Sequence, residues 1–226
     1  MVSALDIIDE AIAELEARLN LKPGEESSSV ANKKKTNNIK AGNASKTETP
    51  LEDAEDQPDI CKLEFKVGVV TKVWTHEKAD KLYCEEIDVG EEEPRQIASG
   101  LRPHFSLEQM QGQRLLVMSN LKAKNLVGFK SNGMVLCAAQ TRDDGTERVE
   151  FVEPPEGAAI GEVITFEGLP APRPVSAAQV EKRKVLQACA DGLKTTEECL
   201  AAWNGHVFMT SAGPCKAKTI AGGVMR

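Results

Sequence analysis

The chain of 226 residues carries 28 Lys and Arg against 35 Asp and Glu, a formal net charge of −7, and 41% of its residues are hydrophobic. This composition supports one or two folded domains, and no run approaches the roughly 18 consecutive apolar residues of a membrane-spanning helix. The N-terminus lacks the basic and apolar regions of a signal peptide, so we expect a cytoplasmic protein. The six cysteines lie far apart without a CxxC pair, which predicts reduced thiols and neither a metal site nor a cofactor.

The acidic balance and an aromatic content of 4% count against a nucleic-acid-binding protein, but the charge is unevenly distributed along the chain. Residues 1–60 hold 7 Lys and Arg and 13 Asp and Glu, a net charge of −6. The net charge is −4 for residues 61–165 and +3 for residues 166–226. The charge of the whole chain therefore excludes no binding function for any one surface.

Residues 1–21 are predicted to form an amphipathic helix that ends before Pro23 and Gly24. Its apolar residues are spaced by three and four, as in the heptad of a coiled coil: Leu5, Ile8, Ile12, Leu15 and Leu19. Residues 22–60 contain no aromatic residue and few large aliphatic ones, which predicts a flexible linker. This linker leaves the helix no core of its own nearby, so we expect it to bind a partner helix, either in a second copy or in another protein, rather than to pack on its own domain.

From residue 61 onward the pattern is typical of short β-strands. Strands are predicted over residues 64–74, 83–89, 96–99, 114–120, 134–139, 149–153 and 162–166, with one helical turn over residues 106–111. A bulge is expected near Gly68 and the pair Val69-Val70. A mainly β fold follows, a five-stranded barrel over residues 61–166 with its helix between the third and fourth strands, which is the order of the OB fold.

Residues 167–226 are predicted to form a mixed α/β appendage that packs on this barrel, because they are too few for an independent domain. A helix is expected from Ser176 to about Ala190, and a second one over residues 197–202. The sequence Trp-Asn-Gly-His at residues 203–206 predicts a type I′ hairpin.

Several motifs resemble those of the tRNA-binding OB-fold domain family. Residues 76–82 read His-Glu-Lys-Ala-Asp-Lys-Leu and resemble its His-Pro-x-Ala-Asp-x-Leu signature, with Glu77 where the family has Pro. Ser99-Gly100, residues 120–122 and residues 131–134 follow in the family's order. Residues 195–217 resemble the branch of endothelial monocyte-activating polypeptide II, the multisynthetase-complex scaffold and the C-terminal domain of animal tyrosyl-tRNA synthetases. The resemblance covers residues 61–226.

This resemblance implies a non-catalytic auxiliary protein that binds tRNA through its phosphates and its shape and delivers or retains it for an aminoacyl-tRNA synthetase assembly. In this branch the appendage resembles a substitute for a second subunit, which implies a monomeric core. Helix 1–21 would bind a synthetase or a complex scaffold, or would self-associate. The sequence also lacks a Walker A loop, a dinucleotide fingerprint and a nucleophile elbow, so it offers no support for an enzyme.

The candidate RNA-binding residues are mainly cations, which pair with phosphates, and small polar donors near glycine. The set is Lys66, Lys72, His76, Lys81, Arg95, Arg102, Lys122, Lys124, Lys130, Ser131, Asn132, Lys216 and Lys218. For each cation the alternative is a solvated surface charge. Phe105 and Phe129 are the predicted exposed stacking platforms, whereas Phe65, Trp74, Phe151 and Phe166 are predicted to lie in the core.

Two other functions remain open. In the related cytokine an Arg-Ile-Gly-containing heptapeptide of the first strand is credited with signalling, and residues 66–71 correspond to it in part, so a cytokine-like extracellular polypeptide is one alternative. The other is an assembly scaffold without RNA binding, which the net charge of −4 over residues 61–165 favours.

Overall fold

The structure is a computed structural model that describes residues 56–226. The predicted helix 1–21, with its five heptad residues, lies outside the described residues, as do residues 22–55 of the predicted linker. Within the described range the folded part already includes Gln57 and Ile60, both buried, ahead of the expected start at residue 61. None of the helices formed by residues 56–226 has the length and apolar character to cross a membrane.

The described residues form a mainly antiparallel β structure with a few short helices, as the sequence predicts. The strands are β1 (Phe65–Thr75), β2 (Tyr83–Asp88), β3 (Arg95–Ser99), β4 (Arg114–Met118), β5 (Lys124–Leu126), β6 (Phe129–Ser131), β7 (Met134–Thr141), β8 (Glu147–Phe151), β9 (Thr165–Phe166), β10 (Leu193–Thr195), β11 (Ala201–Trp203), β12 (His206–Thr210), β13 (Gly213–Pro214) and β14 (Val224–Met225). A 3-10 turn (Asp59–Lys62) precedes them, and the helices are α1 (Leu107–Met110), α2 (Ala177–Lys182) and α3 (Val185–Ala190).

The long strand β1 organises the first half of the fold. Its first residues pair with β4 and its later residues pair with β2, and the strand order is β3-β2-β1-β4-β7. The register on β2 shifts between Val70 and Lys72, where the Thr71 hydroxyl donates a hydrogen bond of 2.9 Å to the Glu86 carbonyl. This bulge lies slightly later than predicted and lets one strand serve two partners.

Two clusters of buried side chains fill the interior, and one of them joins the β-rich part to the appendage. Phe65 of β1, Phe166 of β9 and Phe208 of β12 meet edge to face, with ring centroids 4.9 to 6.2 Å apart. β9 also pairs with β12, and β14 pairs with β7. Residues 167–226 therefore complete the core of the preceding strands, and burial of aromatic rings stabilises the two parts together.

The appendage differs from the sequence prediction in its helices. The helix expected from Ser176 to Ala190 is divided into α2 and α3, because Lys184 has a left-handed backbone with φ 52°. The second expected helix, residues 197–202, is wrong: residues 201–203 form β11, which pairs with β10. The side chain of Thr196 accepts the N–H groups of Glu198 and Leu200, which favours a turn over a helix at this point.

The hairpin predicted at residues 203–206 is confirmed. Trp203 pairs with His206 across the turn, and the two central residues have positive φ, 49° at Asn204 and 87° at Gly205. This is the backbone that a type I′ turn requires.

Candidate nucleic-acid interface

Two loops flank the outer face of strands β1 to β3. Residues 76–82 connect β1 to β2, and residues 119–133 connect β4 to β7 and contain the hairpin β5–β6. The base of the longer loop is fixed by Asn120, whose amide donates to the carbonyls of Lys62 and Val175 at 2.9 and 3.0 Å and whose oxygen accepts the Glu64 N–H. The longer loop therefore starts from firmly held backbone.

The hairpin β5–β6 lies against β3. The Ala98 N–H donates to the Ser131 hydroxyl at 3.0 Å, and the Asn132 N–H donates to the Gln96 carbonyl at 2.8 Å. Ser131 is buried and also donates to the Gly133 carbonyl at 3.1 Å. Ser131 and Asn132, two of the candidate RNA-binding residues, thus make the contacts that position the hairpin on the face.

Exposed cations are present on the hairpin. Lys124 and Lys130 are exposed and make no ion pair with any residue of 56–226. The register pairs Lys124 with Ser131 and Asn125 with Lys130, so Lys124 shares a side of the hairpin with Phe129 and Lys130 lies on the other side. The hairpin therefore presents a positive charge on each side.

The loop 76–82 is closed by its own backbone. The His76 N–H donates to the Leu82 carbonyl at 3.1 Å, and the His76 Nδ1 accepts the Lys78 N–H at 3.1 Å. A neutral ring with an accepting Nδ1 carries its proton on Nε2. Lys81 is exposed and has no ion pair within the described chain. Arg102 lies 3.9 Å from the fully exposed carboxylate of Asp80.

Between the loops, Lys72 and Trp74 share the outer side of β1. The Lys72 Nζ lies 5.0 Å from the centroid of the Trp74 ring and 3.6 Å from a carboxylate oxygen of Glu86. The Trp74 ring meets Phe129 of the hairpin edge to face at 6.0 Å between centroids. Trp74 is half-buried on this face, so its predicted place in the core is wrong.

Neither of the two phenylalanines predicted to be exposed stacking platforms is fully exposed. Phe129 is half-buried against Trp74 rather than fully exposed. Phe105 stacks on the buried Phe151 with centroids 4.0 Å apart and packs against the core, so it is not the exposed platform that the sequence predicts. Phe65 lies in the core, as expected.

Two candidate cations, Lys66 and Arg95, are engaged within the protein. Arg95 donates to both carboxylate oxygens of Glu91 at 2.8 Å, and Lys66 donates to the same carboxylate at 3.0 Å. The hydrogen bonds from Arg95, together with those from Lys66, lower the pKa of Glu91 to about 2. Arg95 also donates to the carbonyls of Ser119 and Asn132 at 2.6 and 2.9 Å. Lys66 also lies 3.7 Å from a carboxylate oxygen of Glu64. Both cations are therefore paired with carboxylates of the protein, and Arg95 ties the two ends of loop 119–133 to β3.

The remaining candidates lie at the margin of this face or beyond it. Lys122 forms an exposed ion pair of 3.0 Å with Glu181 of α2. Lys216 and Lys218 are exposed on the segment after β13, where the backbone of Lys216 bridges to Glu153 just after β8. Lys72, Lys81, Lys124 and Lys130 therefore lie on β1 and on the two loops that flank this face, whereas the appendage cations lie on another segment.

Behind the face, one carboxyl group is fully buried. Glu85 lies on the inner side of β2 with Tyr83 and Ile87 and has 0% exposure. The Ser99 hydroxyl donates to one of its oxygens, while the other oxygen has no hydrogen-bond partner among residues 56–226. Burial raises the pKa of Glu85 to about 8. The sequence pattern did not predict that Glu85 is buried, because a Glu on a strand ordinarily faces water.

Comparison with known proteins assigns the fold to a family. Residues 65–163 match the family model described as "Putative tRNA binding domain". The chain belongs to this family. The match spans β1 to β8 and includes both loops of the candidate interface. It confirms the resemblance found in the sequence motifs.

Relatives of this tRNA-binding domain occur in longer proteins. The chain is 35% identical over 191 residues to aminoacyl tRNA synthase complex-interacting multifunctional protein 1 of Cricetulus griseus, covering 84% of this chain and 51% of that protein. It is 37% identical over 169 residues to the cytoplasmic tyrosine–tRNA ligase of Danio rerio, covering 75% of this chain and 31% of that one. The chain thus spans about half or less of these relatives.

A solved structure extends the likeness into the appendage. The C-terminal domain of Plasmodium vivax p43 superimposes with a TM-score of 0.68 at 33% identity, and the match covers 74% of this chain and 99% of that one. Since the family model ends at residue 163, this wider match shows that the appendage belongs to the same structural unit in that protein.

Proposed function

We propose that the protein is a non-catalytic tRNA-binding auxiliary that delivers tRNA to, or retains it for, an aminoacyl-tRNA synthetase assembly in the cytoplasm. Membership of the tRNA-binding domain family supports the RNA part. The names of the relatives, one a complex-interacting protein and one a cytoplasmic ligase, support the assembly and the compartment. Six free thiols, five of them buried, are consistent with a reducing compartment.

We infer that β1, β2, β3, β4 and β7 are the five strands of an OB-fold barrel. Their order fits that fold: α1 lies between the third and fourth of them, and β3 approaches β7 at the far edge of the sheet. OB folds bind nucleic acid on the face of the second and third strands, between the loop after the first strand and the loop after the fourth. In this chain these loops are residues 76–82 and 119–133.

The observation that carries the proposal is the convergence of these two loops on one face with exposed cations. Lys81 on one loop, Lys124 and Lys130 on the other, and Lys72 between them have side chains accessible to phosphates. Lys122 joins them if its exposed pair with Glu181 opens, which costs little in water. In this proposal Lys66, Arg95, Ser131 and Asn132 hold the face together, and His76 and Arg102 border it.

Charge removal on the hairpin tests this location. The double variant Lys124→Ala and Lys130→Ala is expected to weaken tRNA binding and to reduce the slope of log K against log salt by about 2, because two phosphate contacts are lost. Lys194→Ala, which removes an exposed lysine from β10 of the appendage, is the matched control and should change neither quantity. Unchanged affinity in the double variant would favour an assembly scaffold without RNA binding at this face.

We further propose that helix 1–21 binds the partner synthetase or complex scaffold. The heptad of Leu5, Ile8, Ile12, Leu15 and Leu19 supports this proposal. Affinity capture with the full chain and with a chain lacking residues 1–21 tests it, and loss of a synthetase from the second sample is the expected result. Capture of the tagged chain's own untagged copy alone would instead identify self-association.

The signalling alternative receives less support from the structure. Residues 66–71 belong to β1, where Val67, Gly68 and Val70 are buried and the backbone pairs with β4 and β2. Burial of these three residues favours a structural role for the segment, although Thr71 at its end is exposed. A chemotaxis assay with the folded chain should be negative.

A further inference from the structure

The Trp74 ring lies at the edge of the area that the hairpin β5–β6 covers on the outer face of strands β1 to β3. Its neighbours across β2 and β3, Cys84 and Ala98, are buried beneath the hairpin, whereas Trp74 stays half-exposed on the outer strand β1. Phe129 supports one edge of the ring at 6.0 Å between centroids and an interplanar angle of 72°. The indole N–H has no hydrogen-bond partner within residues 56–226 and is not buried. The hairpin thus holds the ring in place and leaves part of its surface free.

Lys72 covers this ring only loosely. Its ammonium lies 5.0 Å from the ring centroid and 3.6 Å from Glu86, and 63% of its side chain is exposed. A cation–π contact at an exposed site is weak, and so is an exposed ion pair. A flat aromatic group that stacks on Trp74 can therefore displace the ammonium, which then remains close enough to pair with a phosphate.

We propose that Trp74, flanked by Lys72 and Phe129, is a stacking site for an unpaired base of the bound RNA; this rests on the proposed function. The exposed cations Lys81 and Lys124 on the two flanking loops supply the charge that brings the backbone of an RNA to this face. Only a base outside a duplex presents a free face to a side chain. The site would thus favour RNA with single-stranded nucleotides over a blunt duplex.

Tryptophan emission reports on this site directly. The chain has two tryptophans, and Trp203 lies in the appendage, where its N–H donates to the Cys189 carbonyl. The Trp203→Phe variant of the full chain therefore leaves Trp74 as the single emitter. We expect tRNA and a short oligouridylate to quench its emission saturably, and a blunt RNA duplex of equal charge to leave it unchanged.

Affinity measurements provide the second readout. Trp74→Ala should weaken tRNA binding about tenfold or more with the salt slope unchanged, because stacking rather than charge is removed. Lys72→Ala should instead reduce the salt slope by about 1. Trp74→Phe retains an aromatic face and should retain most of the affinity, and it replaces the alanine variant if that one fails to fold.

The outcomes separate this inference from the proposed function. If tRNA binds with normal affinity while Trp74 emission stays constant, or if the blunt duplex quenches as strongly as oligouridylate, the stacking site is wrong and the RNA-binding function stands. If no RNA binds even at low salt, the proposed function is wrong and the stacking site falls with it.

Discussion

Glu85 is a single buried residue whose ionisation makes the stability of the fold depend on pH. Its carboxyl lies among apolar side chains of the inner face, with one hydrogen bond from Ser99 and one unpartnered oxygen. A charged carboxylate in such a place loses its hydration without compensation, which explains why burial raises its pKa to about 8. Burial also raises the pKa of the nearby Cys137 thiol, and the charge of ionised Glu85 adds to this rise.

The first prediction concerns stability against pH. In the unfolded chain Glu85 ionises near pH 4.5, and in the folded chain near pH 8. The stability contributed by the protonated form is thus fully present below pH 4.5 and is lost as pH rises to about 8. We expect the free energy of unfolding to fall by about 3 kcal/mol between about pH 5 and pH 8 because of this group. Glu85→Gln should reduce that decline when the free energy of unfolding is measured by denaturant titration at several pH values. The same decline with pH in both proteins would contradict this account.

Arg95 supports a second prediction at the same scale. Its guanidinium joins Glu91 to the carbonyls of Ser119 and Asn132. Arg95→Ala removes these hydrogen bonds, and we expect the free energy of unfolding to decrease by about 2 kcal/mol. The salt slope of tRNA binding should stay as in the unchanged chain, because the guanidinium of Arg95 is engaged by Glu91 and the two carbonyls and does not reach a phosphate. A reduced slope with unchanged stability would show instead that Arg95 contacts phosphate.

Among the elements that sequence patterns did not predict, the hairpin β5–β6 is the one that borders the candidate interface. A type I′ turn requires positive φ at both central residues, and Asn-Gly or Asp-Gly is the usual signal. Here the pair is Val127-Gly128, with φ of 52° and 91°. A β-branched residue is disfavoured in this conformation, so the sequence Lys-Asn-Leu-Val-Gly-Phe-Lys did not indicate two strands. The contact of the hairpin with β3 maintains the turn against local preference.

A substitution that relieves the backbone strain at Val127 is expected to stabilise the hairpin β5–β6. Val127 is 37% exposed, so Val127→Asn removes little buried surface and supplies a residue that tolerates positive φ. We expect an increase of about 1 kcal/mol in the free energy of unfolding, measured by chemical denaturation. Val163→Asn is the control, since Val163 is 39% exposed without a positive φ and should show no gain. Equal effects at the two positions would rule out strain at the turn.

Periodicity predicted most strands of the fold but not which side of β1 faces water. The bulge at Thr71 reverses the alternation, so that Val73 continues the inner side and Trp74 turns outward. Trp74 follows an apolar run, so it is predicted to lie in the core unless the position of the bulge is known. The candidate lysines of the hairpin and of loop 76–82 were predictable from their motifs. The internal pairing of Lys66 and Arg95 was not, because Lys66 meets Glu91 only through tertiary structure, and the contact of Arg95 with Glu91 four residues earlier depends on the connection between β2 and β3.

At the scale of the whole molecule, the appendage and the preceding strands share one core. Phe208 of β12 packs between Phe65 and Phe166, and β14 extends the pairing of β7 beyond β4. A chain of residues 56–166 lacks Phe208, so it would expose Phe65 and Phe166 and leave an unpaired edge on β7. We expect it to aggregate or self-associate in size-exclusion chromatography, whereas residues 56–226 should be monomeric. A monomeric fragment that unfolds as cooperatively as the longer chain would contradict the shared core.

Of the net charge of −7, −4 belongs to residues 1–55 and −3 to residues 56–226. Within residues 56–226, Lys66 and Arg95 are paired with the carboxylates of Glu64 and Glu91. In the proposed function the exposed Lys72, Lys81, Lys124 and Lys130 carry the interaction with RNA. The most direct test is the affinity of the full chain for tRNA over about 50 to 200 mM salt. We predict binding at low salt that weakens with a slope of log K against log salt of about −3 or steeper. Absence of binding at low salt, or binding indifferent to salt, would contradict the central claim.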